Sequence, residues 1–133
     1  MQRILTAALI WIALALPAAA QSREIEGVIS GQIERFKADD FAGAFTFASP
    51  TIQGLFGTPD NFGMMVQRGY PMVHRPRDLR FLDLQEAPGG YSQIVEVEDM
   101  QGRRFLLRYD MIETGNGWKI NGVSILPAPD VAT

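Results

Sequence analysis

Tyr91-Ser92-Gln93-Ile94-Val95-Glu96-Val97-Glu98, Asp99-Met100-Gln101-Gly102, and Arg103-Arg104-Phe105-Leu106-Leu107-Arg108-Tyr109-Asp110-Met111-Ile112 together decide the fold. Tyr91, Gln93, Val95 and Val97 alternate with Ser92, Ile94, Glu96 and Glu98, the period of a strand with two unlike faces. Gly102 supplies the left-handed residue of a tight turn, and the chain then returns as a second strand. A type I turn with a bulge at Gly102 sets Val97 opposite Phe105, Val95 opposite Leu107, Gln93 opposite Tyr109 and Tyr91 opposite Met111. The same register puts Glu98 opposite Arg104, so hydrophobic and charge matches agree.

Working outward, Leu79 to Leu84 reads as an earlier strand with apolar residues on both faces, and Gly115-Asn116-Gly117 turns the chain into a last strand, Trp118 to Leu126. Unbroken alternation places Trp118, Ile120, Gly122, Ser124 and Leu126 on the face of Val95 and Tyr109. Upstream the period becomes helical. Ile25, Val28, Ile29, Ile33 and Phe36 form one stripe over Arg23–Ala38, with Ser22 as the expected N-cap. Asp39 or Asp40 caps a second helix carrying Phe41, Ala44, Phe45 and Ala48, which Pro50 is expected to end. Thr58-Pro59-Asp60 opens a third, with Phe62, Met65 and Val66 on its buried side and Gly69 at its end. Helices first and an antiparallel meander afterwards predict an α+β domain, N-terminal helices packed on one face of a four-stranded sheet.

The first twenty residues follow a different logic. One cation, Arg3, precedes an apolar run from Ile4 to Leu16 that is too short to span a bilayer; Pro17 and the small residues Ala18-Ala19-Ala20 follow. This is the pattern of a signal peptide cleaved between Ala20 and Gln21. Residues 1–20 are therefore read as leader, 21–126 as one domain and 127–133 as a flexible tail. With no cysteine in the chain, neither a disulfide nor a lipid anchor is available. The expected product is a soluble periplasmic domain that leaves the membrane once the leader is removed.

Twelve Lys and Arg, Arg3 among them, face fifteen Asp and Glu, a net charge of −3. Nucleic-acid binders depend on the opposite balance, so no nucleic-acid partner is expected. The outward face of the sheet carries Ile94, Leu106, Ile112, Val123 and Ile125 among charged residues. That is more apolar surface than a solvated sheet leaves open, and either the tail or a loop, or a second copy of the chain in a homodimer, would cover it.

His74 is the single histidine, so no multi-histidine metal site is expected, and no motif implies a cofactor. It lies in a proline-stiffened connector, Tyr70 to Arg77. Tyr70, His74 and Arg75 are the candidates for catalysis or anion binding there, and the same arginines also fit ion pairs with Asp78, Asp83 or Glu86. Glu96, Glu98 and Asp99 lack the spacing of a calcium loop. On the predicted inward face, Tyr91, Gln93, Tyr109 and Ser124 are polar groups among apolar ones, as a binding cavity requires. With Trp118 from the sheet and Phe62 and Met65 from the third helix, they form the candidate ligand site; the same four also fit a core in which they satisfy one another.

Ala48-Ser49-Pro50, Phe56-Gly57, Phe62 to Val66, Gly69-Tyr70-Pro71 and Arg75-Pro76-Arg77 resemble the exported proteobacterial domain-of-unknown-function family numbered 4864. Gly117-Trp118-Lys119-Ile120-Asn121-Gly122-Val123 is similar to the last strand of the nuclear-transport-factor-two-like superfamily. The resemblance implies a cone, a curved sheet wrapped around helices with a cavity between them, commonly dimeric through the sheet. That superfamily holds isomerases, dehydratases and cyclases beside domains that only bind, so fold does not decide function. Asp110 and Glu96 point away from the inward face, so an aspartate-based isomerase mechanism lacks its base unless a helix supplies one.

Three readings follow: non-catalytic binding of a small apolar or amphipathic ligand or a protein partner, an isomerase or dehydratase using Tyr70, His74 and Arg75, and an envelope interaction module using the outward face. The first leads, because no acid–base set is evident. Protein recovered from the periplasm is expected to begin at Gln21 by N-terminal sequencing; a mature chain still starting at Met1 would contradict the cleavage.

Overall fold

The computed structural model describes residues 18–127. The leader up to Pro17 and all of the expected tail except Pro127 lie outside them. Five helices, α1 (Ala18–Lys37), α2 (Phe41–Phe45), α3 (Pro50–Phe56), α4 (Pro59–Gly69) and α5 (Pro71–His74), precede four strands, β1 (Asp78–Ala87), β2 (Gly90–Glu98), β3 (Arg104–Thr114) and β4 (Gly117–Leu126). The strands form one antiparallel sheet in sequence order. The α+β expectation holds, with the helices on one face.

Ile25, Ile29, Ile33 and Phe36 of α1 are buried, as are Val95, Val97, Leu107, Tyr109 and Met111 of the sheet, all within one core. Full burial of each large apolar side chain contributes about 1.5–3 kcal/mol before entropy is subtracted, so this contact organises the rest. Ser22 lies inside α1 and is no cap, because the helix already includes Ala18 to Ala20. Asp40 does cap α2, its carboxylate accepting from the Gly43 amide at 2.9 Å. Gly63 on α4 lets the Phe41 ring lie against the helix backbone: a Cβ there would fall 2.5 Å from the ring.

Pro50 begins a helix instead of ending one. Ser49 caps α3, its Oγ accepting from the Ile52 amide, and Pro50 occupies the first turn, where no donor is needed. The connector after Tyr70 is likewise a short helix, α5.

The hairpin between β2 and β3 has the expected register throughout, from Tyr91 with Met111 to Glu98 with Arg104. Gly102 has φ 81°. Asp99 fastens the turn, one carboxylate oxygen accepting from the amides of Gln101 (2.9 Å) and Arg103 (2.8 Å) and the other from Arg103 Nε (2.8 Å). The cation nearest the Glu98 carboxylate is Arg77, at 3.9 Å. A bulge between Phe81 and Leu84 explains the two apolar faces of β1. It brings Leu79, Phe81 and Leu84 opposite Val97, Val95 and Gln93, all on the helix side.

Strand β4 corrects the sequence reading. Met111 pairs with Ile120 but Asp110 pairs with Gly122, so Asn121 is an extra residue and the alternation reverses beyond it. Trp118 and Ile120 face inward as expected. Past the bulge, Val123 and Ile125 also turn inward, opposite Tyr109 and Leu107, whereas Gly122, Ser124 and Leu126 turn outward. Val123 and Ile125 therefore do not belong to the outward face; Leu126, opposite Leu106, joins Ile94 and Ile112 there. Ser124 meets Arg108, which donates to it at 3.4 Å.

The bulge coincides with a tertiary contact. Residues 47–49 pair with β4 through Ser49 N to Ile120 O (2.8 Å) and Ile120 N to Phe47 O (2.9 Å), and Ser49 Oγ donates to Asn121 Oδ1 at 2.7 Å. Ser49→Ala and Asn121→Ala are each expected to lower unfolding free energy by about 1–3 kcal/mol. Urea denaturation of the singles and the double, which should cost clearly less than their sum, checks the coupling.

Candidate functional site

Because 47–49 is tied to β4, α3 begins beside that strand. A cavity of about 210 Å³ opens between them. Helix α1 contributes Gln32 and Phe36; α3 contributes Ile52, Leu55 and Phe56; α4 contributes Phe62, Met65 and Val66. Tyr70 and Val73 close it from the α5 side, and Ile120, Gly122 and Val123 form the β4 wall. Leu55 is 73% exposed, an apolar side chain left at the surface beside the opening.

The wall is apolar except at two side chains. Gln32 is buried, and its amide nitrogen donates to Ala44 O at 3.3 Å. The Tyr70 hydroxyl donates to Val123 O at 3.0 Å. Among the described residues, no carboxylate, imidazole, ammonium or guanidinium lines the cavity.

Of the candidate ligand residues, Phe62 and Met65 line the cavity. The others are placed elsewhere. Gln93 is buried behind the β1 bulge, its amide donating to the carbonyls of Leu82 (3.0 Å) and Ile94 (2.9 Å). Tyr91 packs edge-on against Trp118, ring centroids 5.7 Å apart. Tyr109 is fully buried in the sheet, and Ser124 faces outward through the β4 bulge. Gln93 and Tyr109 are thus packed within the core. A second opening, of about 230 Å³ and lined by polar and charged groups that include Glu34, Lys37, Arg77 and Asp78, lies between α1 and the start of β1.

The catalytic candidates separate in the same way. Tyr70 lines the cavity. His74 Nε2 pairs with Asp39 Oδ1 at 2.7 Å, and Arg75 donates to Asp39 Oδ2 at 2.9 Å and to Lys37 O at 3.0 Å. Asp39, with φ 55°, holds the left-handed position just past α1 and so aims its carboxylate at α5. The hydrogen bond from His74 holds the Asp39 carboxyl below its ordinary range; partial desolvation opposes this, and Arg75 reinforces it. None of these three residues lines the cavity.

Gln32, Ile52, Leu55 and Phe56 were not among the expected site residues, although a signal exists for each. Gln32 stands three residues after Ile29 and so falls on the apolar stripe of α1. Ser49-Pro50 has the same cap-then-proline grammar as Thr58-Pro59, and Ile52, Leu55 and Phe56 follow at helical spacing.

Helices cupped by one curved antiparallel meander, with an apolar cavity between, define an NTF2-like α+β domain, and solved structures agree. The chain is similar to an NTF2-like protein of unknown function from Shewanella baltica OS155, with a TM-score of 0.55 and 16% identity over 84% of this chain and 98% of that one. It is similar also to an NTF-2 like protein of unknown function from Shewanella oneidensis MR-1, with a TM-score of 0.53 and 11% identity over 78% and 97%. The model of a domain of unknown function, DUF4864, matches residues 18–133, and the chain belongs to that family. No curated protein matches it.

The Asp39 cluster has a pH signature. A carboxyl whose pKa is lowered by folding contributes stability above the ordinary carboxylate range and loses it as pH falls through the lowered value. Asn tolerates the same left-handed backbone, so Asp39→Asn removes mainly the charge. The variant is expected to be less stable than the native chain at pH 7 and to approach it below about pH 4, as measured by urea denaturation across that interval.

Proposed function

We propose that this domain is an exported, non-catalytic binder of small apolar or amphipathic molecules, with the α3–α4–β4 cavity as its site. The observation that carries this reading is the composition of the cavity wall among the described residues: aliphatic and aromatic side chains, two fixed polar groups and no ionised one. Such a wall takes up apolar surface and orients a molecule, but offers no group of the kind that moves protons near neutral pH. The enzyme alternative draws on Tyr70 alone at the cavity, since His74 and Arg75 are engaged by Asp39. Export, periplasmic residence and absence of a cofactor belong to the same reading and rest on the leader pattern and the residues present.

The size of the cavity limits the ligand. A dry cavity of about 150 Å³ accommodates benzene, so one of about 210 Å³ suits a single ring with a short substituent or a short chain. Ethylbenzene is therefore a suitable probe. It is expected to raise the melting temperature in a concentration-dependent way, as any ligand selective for the folded state does. Ile52→Trp, which fills the cavity, should abolish the shift while leaving the melting temperature of the free protein equal or higher. No shift in the native chain overturns the small-ligand reading, and an undiminished shift in a folded Ile52→Trp variant moves the site elsewhere.

A further inference from the structure

Gln32 is the one side-chain amide on the cavity wall among the described residues, and it stands on the apolar stripe of α1 with 3% of its surface exposed. A buried amide of this kind brings two protons and an oxygen, all of which need partners. One Nε2 proton goes to Ala44 O at 3.3 Å. That bond fixes which way the amide points, because the reversed side chain would set Oε1 against the Ala44 carbonyl oxygen. Among the described residues Oε1 accepts from no donor. Nor is it sealed in the core, since the Tyr109 hydroxyl alone is both sealed and without a partner there. An unpartnered oxygen on so buried a side chain, yet not sealed, is reached by the open space that Gln32 lines, which is the cavity. Tyr70, the other polar side chain of the wall, has already given its proton to Val123 O, so its oxygen can only accept.

We propose that the ligand of this cavity carries one neutral hydroxyl group on a single ring or short chain, and that it donates its proton to Gln32 Oε1. The inference rests on the cavity being the ligand site. A donor is required because both polar groups of the wall hold an oxygen ready to accept, while Tyr70 has no proton left to give. One Nε2 proton of Gln32 remains, and a hydroxyl is the smallest group that answers either end of the amide. A neutral group is required because, among the described residues, no ionised side chain lines the cavity to offset the desolvation of a charge. Gln32→Met keeps an unbranched side chain of similar length and removes the amide. Ala44 O still has a donor after that change, the Phe47 amide at 3.2 Å.

Benzyl alcohol, ethylbenzene and benzonitrile share a ring and the same count of heavy atoms, and end in a hydroxyl, a methyl, or a group that only accepts. Their affinities for the native chain and for Gln32→Met, measured by calorimetry, test the proposal. Benzyl alcohol should lose about three- to tenfold in the variant, ethylbenzene should bind the variant as well or better, and benzonitrile should lose less than benzyl alcohol. If benzyl alcohol and ethylbenzene respond equally to the substitution, if benzonitrile loses as much as benzyl alcohol, or if benzyl alcohol alone fails to bind the native chain, the assignment to Gln32 is overturned while the cavity reading stands. If none of the three binds the native chain, the cavity reading fails and this inference with it. Should the variant not fold, nuclear Overhauser contacts in the native chain decide: contacts from the methylene protons of bound benzyl alcohol to the Gln32 amide protons are the expected result, and their absence overturns the proposal.

Discussion

The docking of residues 47–49 onto β4 determines most of what is particular to this domain. Two backbone hydrogen bonds and the Ser49–Asn121 contact fasten the segment between α2 and α3 to the last strand, where that strand takes up an extra residue. The link does three things together. It gives α3 its N-cap, it sets the start of α3 beside β4, and it accompanies the reversal of β4 that turns Val123 inward. Without the reversal Ser124 would face the helices in place of Val123.

The domain separates packing from charge. Around the inward residues of β2 and β3 the interior is filled, and even polar residues there, such as Gln93, serve backbone carbonyls. Charged groups collect where solvent screens them. Asp39 joins the end of α1 to α5, and Asp99 fastens the β2–β3 turn. The side chains with the richest acid–base chemistry are therefore spent on chain geometry, and the α3–α4–β4 cavity is left to groups that bind by shape. Tyr70 connects the two regions: its hydroxyl supports the cavity wall at Val123, and its backbone begins the short helix that presents His74 and Arg75 to Asp39.

Much of the architecture was legible in local patterns. The β2–β3 register follows from four turn residues and two alternating strands, because a slip by one residue would reverse every side chain. The stripe on α1 and the Thr58-Pro59 cap likewise depend on neighbours in sequence. For the site, Phe62, Met65 and Tyr70 were legible as candidates. Tyr91, Gln93 and Tyr109 were placed on the inward face, yet Tyr91 packs on Trp118, Gln93 serves the carbonyls of Leu82 and Ile94, and Tyr109 is wholly buried; no spacing rule reports how much room a face is left. Pro50 shows the limit from the other side: proline ends a helix in mid-span and starts one at the first turn, and Ser49 before it distinguishes the two.

The sequence by itself determined the class of fold, the pairing of β2 with β3, the faces of the long helices and the scarcity of acid–base groups, since each rests on periodicity, turn chemistry or composition. Tertiary structure decided which way the end of β4 faces, where open volume remains and which polar groups are already engaged. The physical reason is that a bulge takes its place from what docks against it. Ser49 and Asn121 are brought together only when the helices fold back onto the sheet, across more than seventy residues of chain.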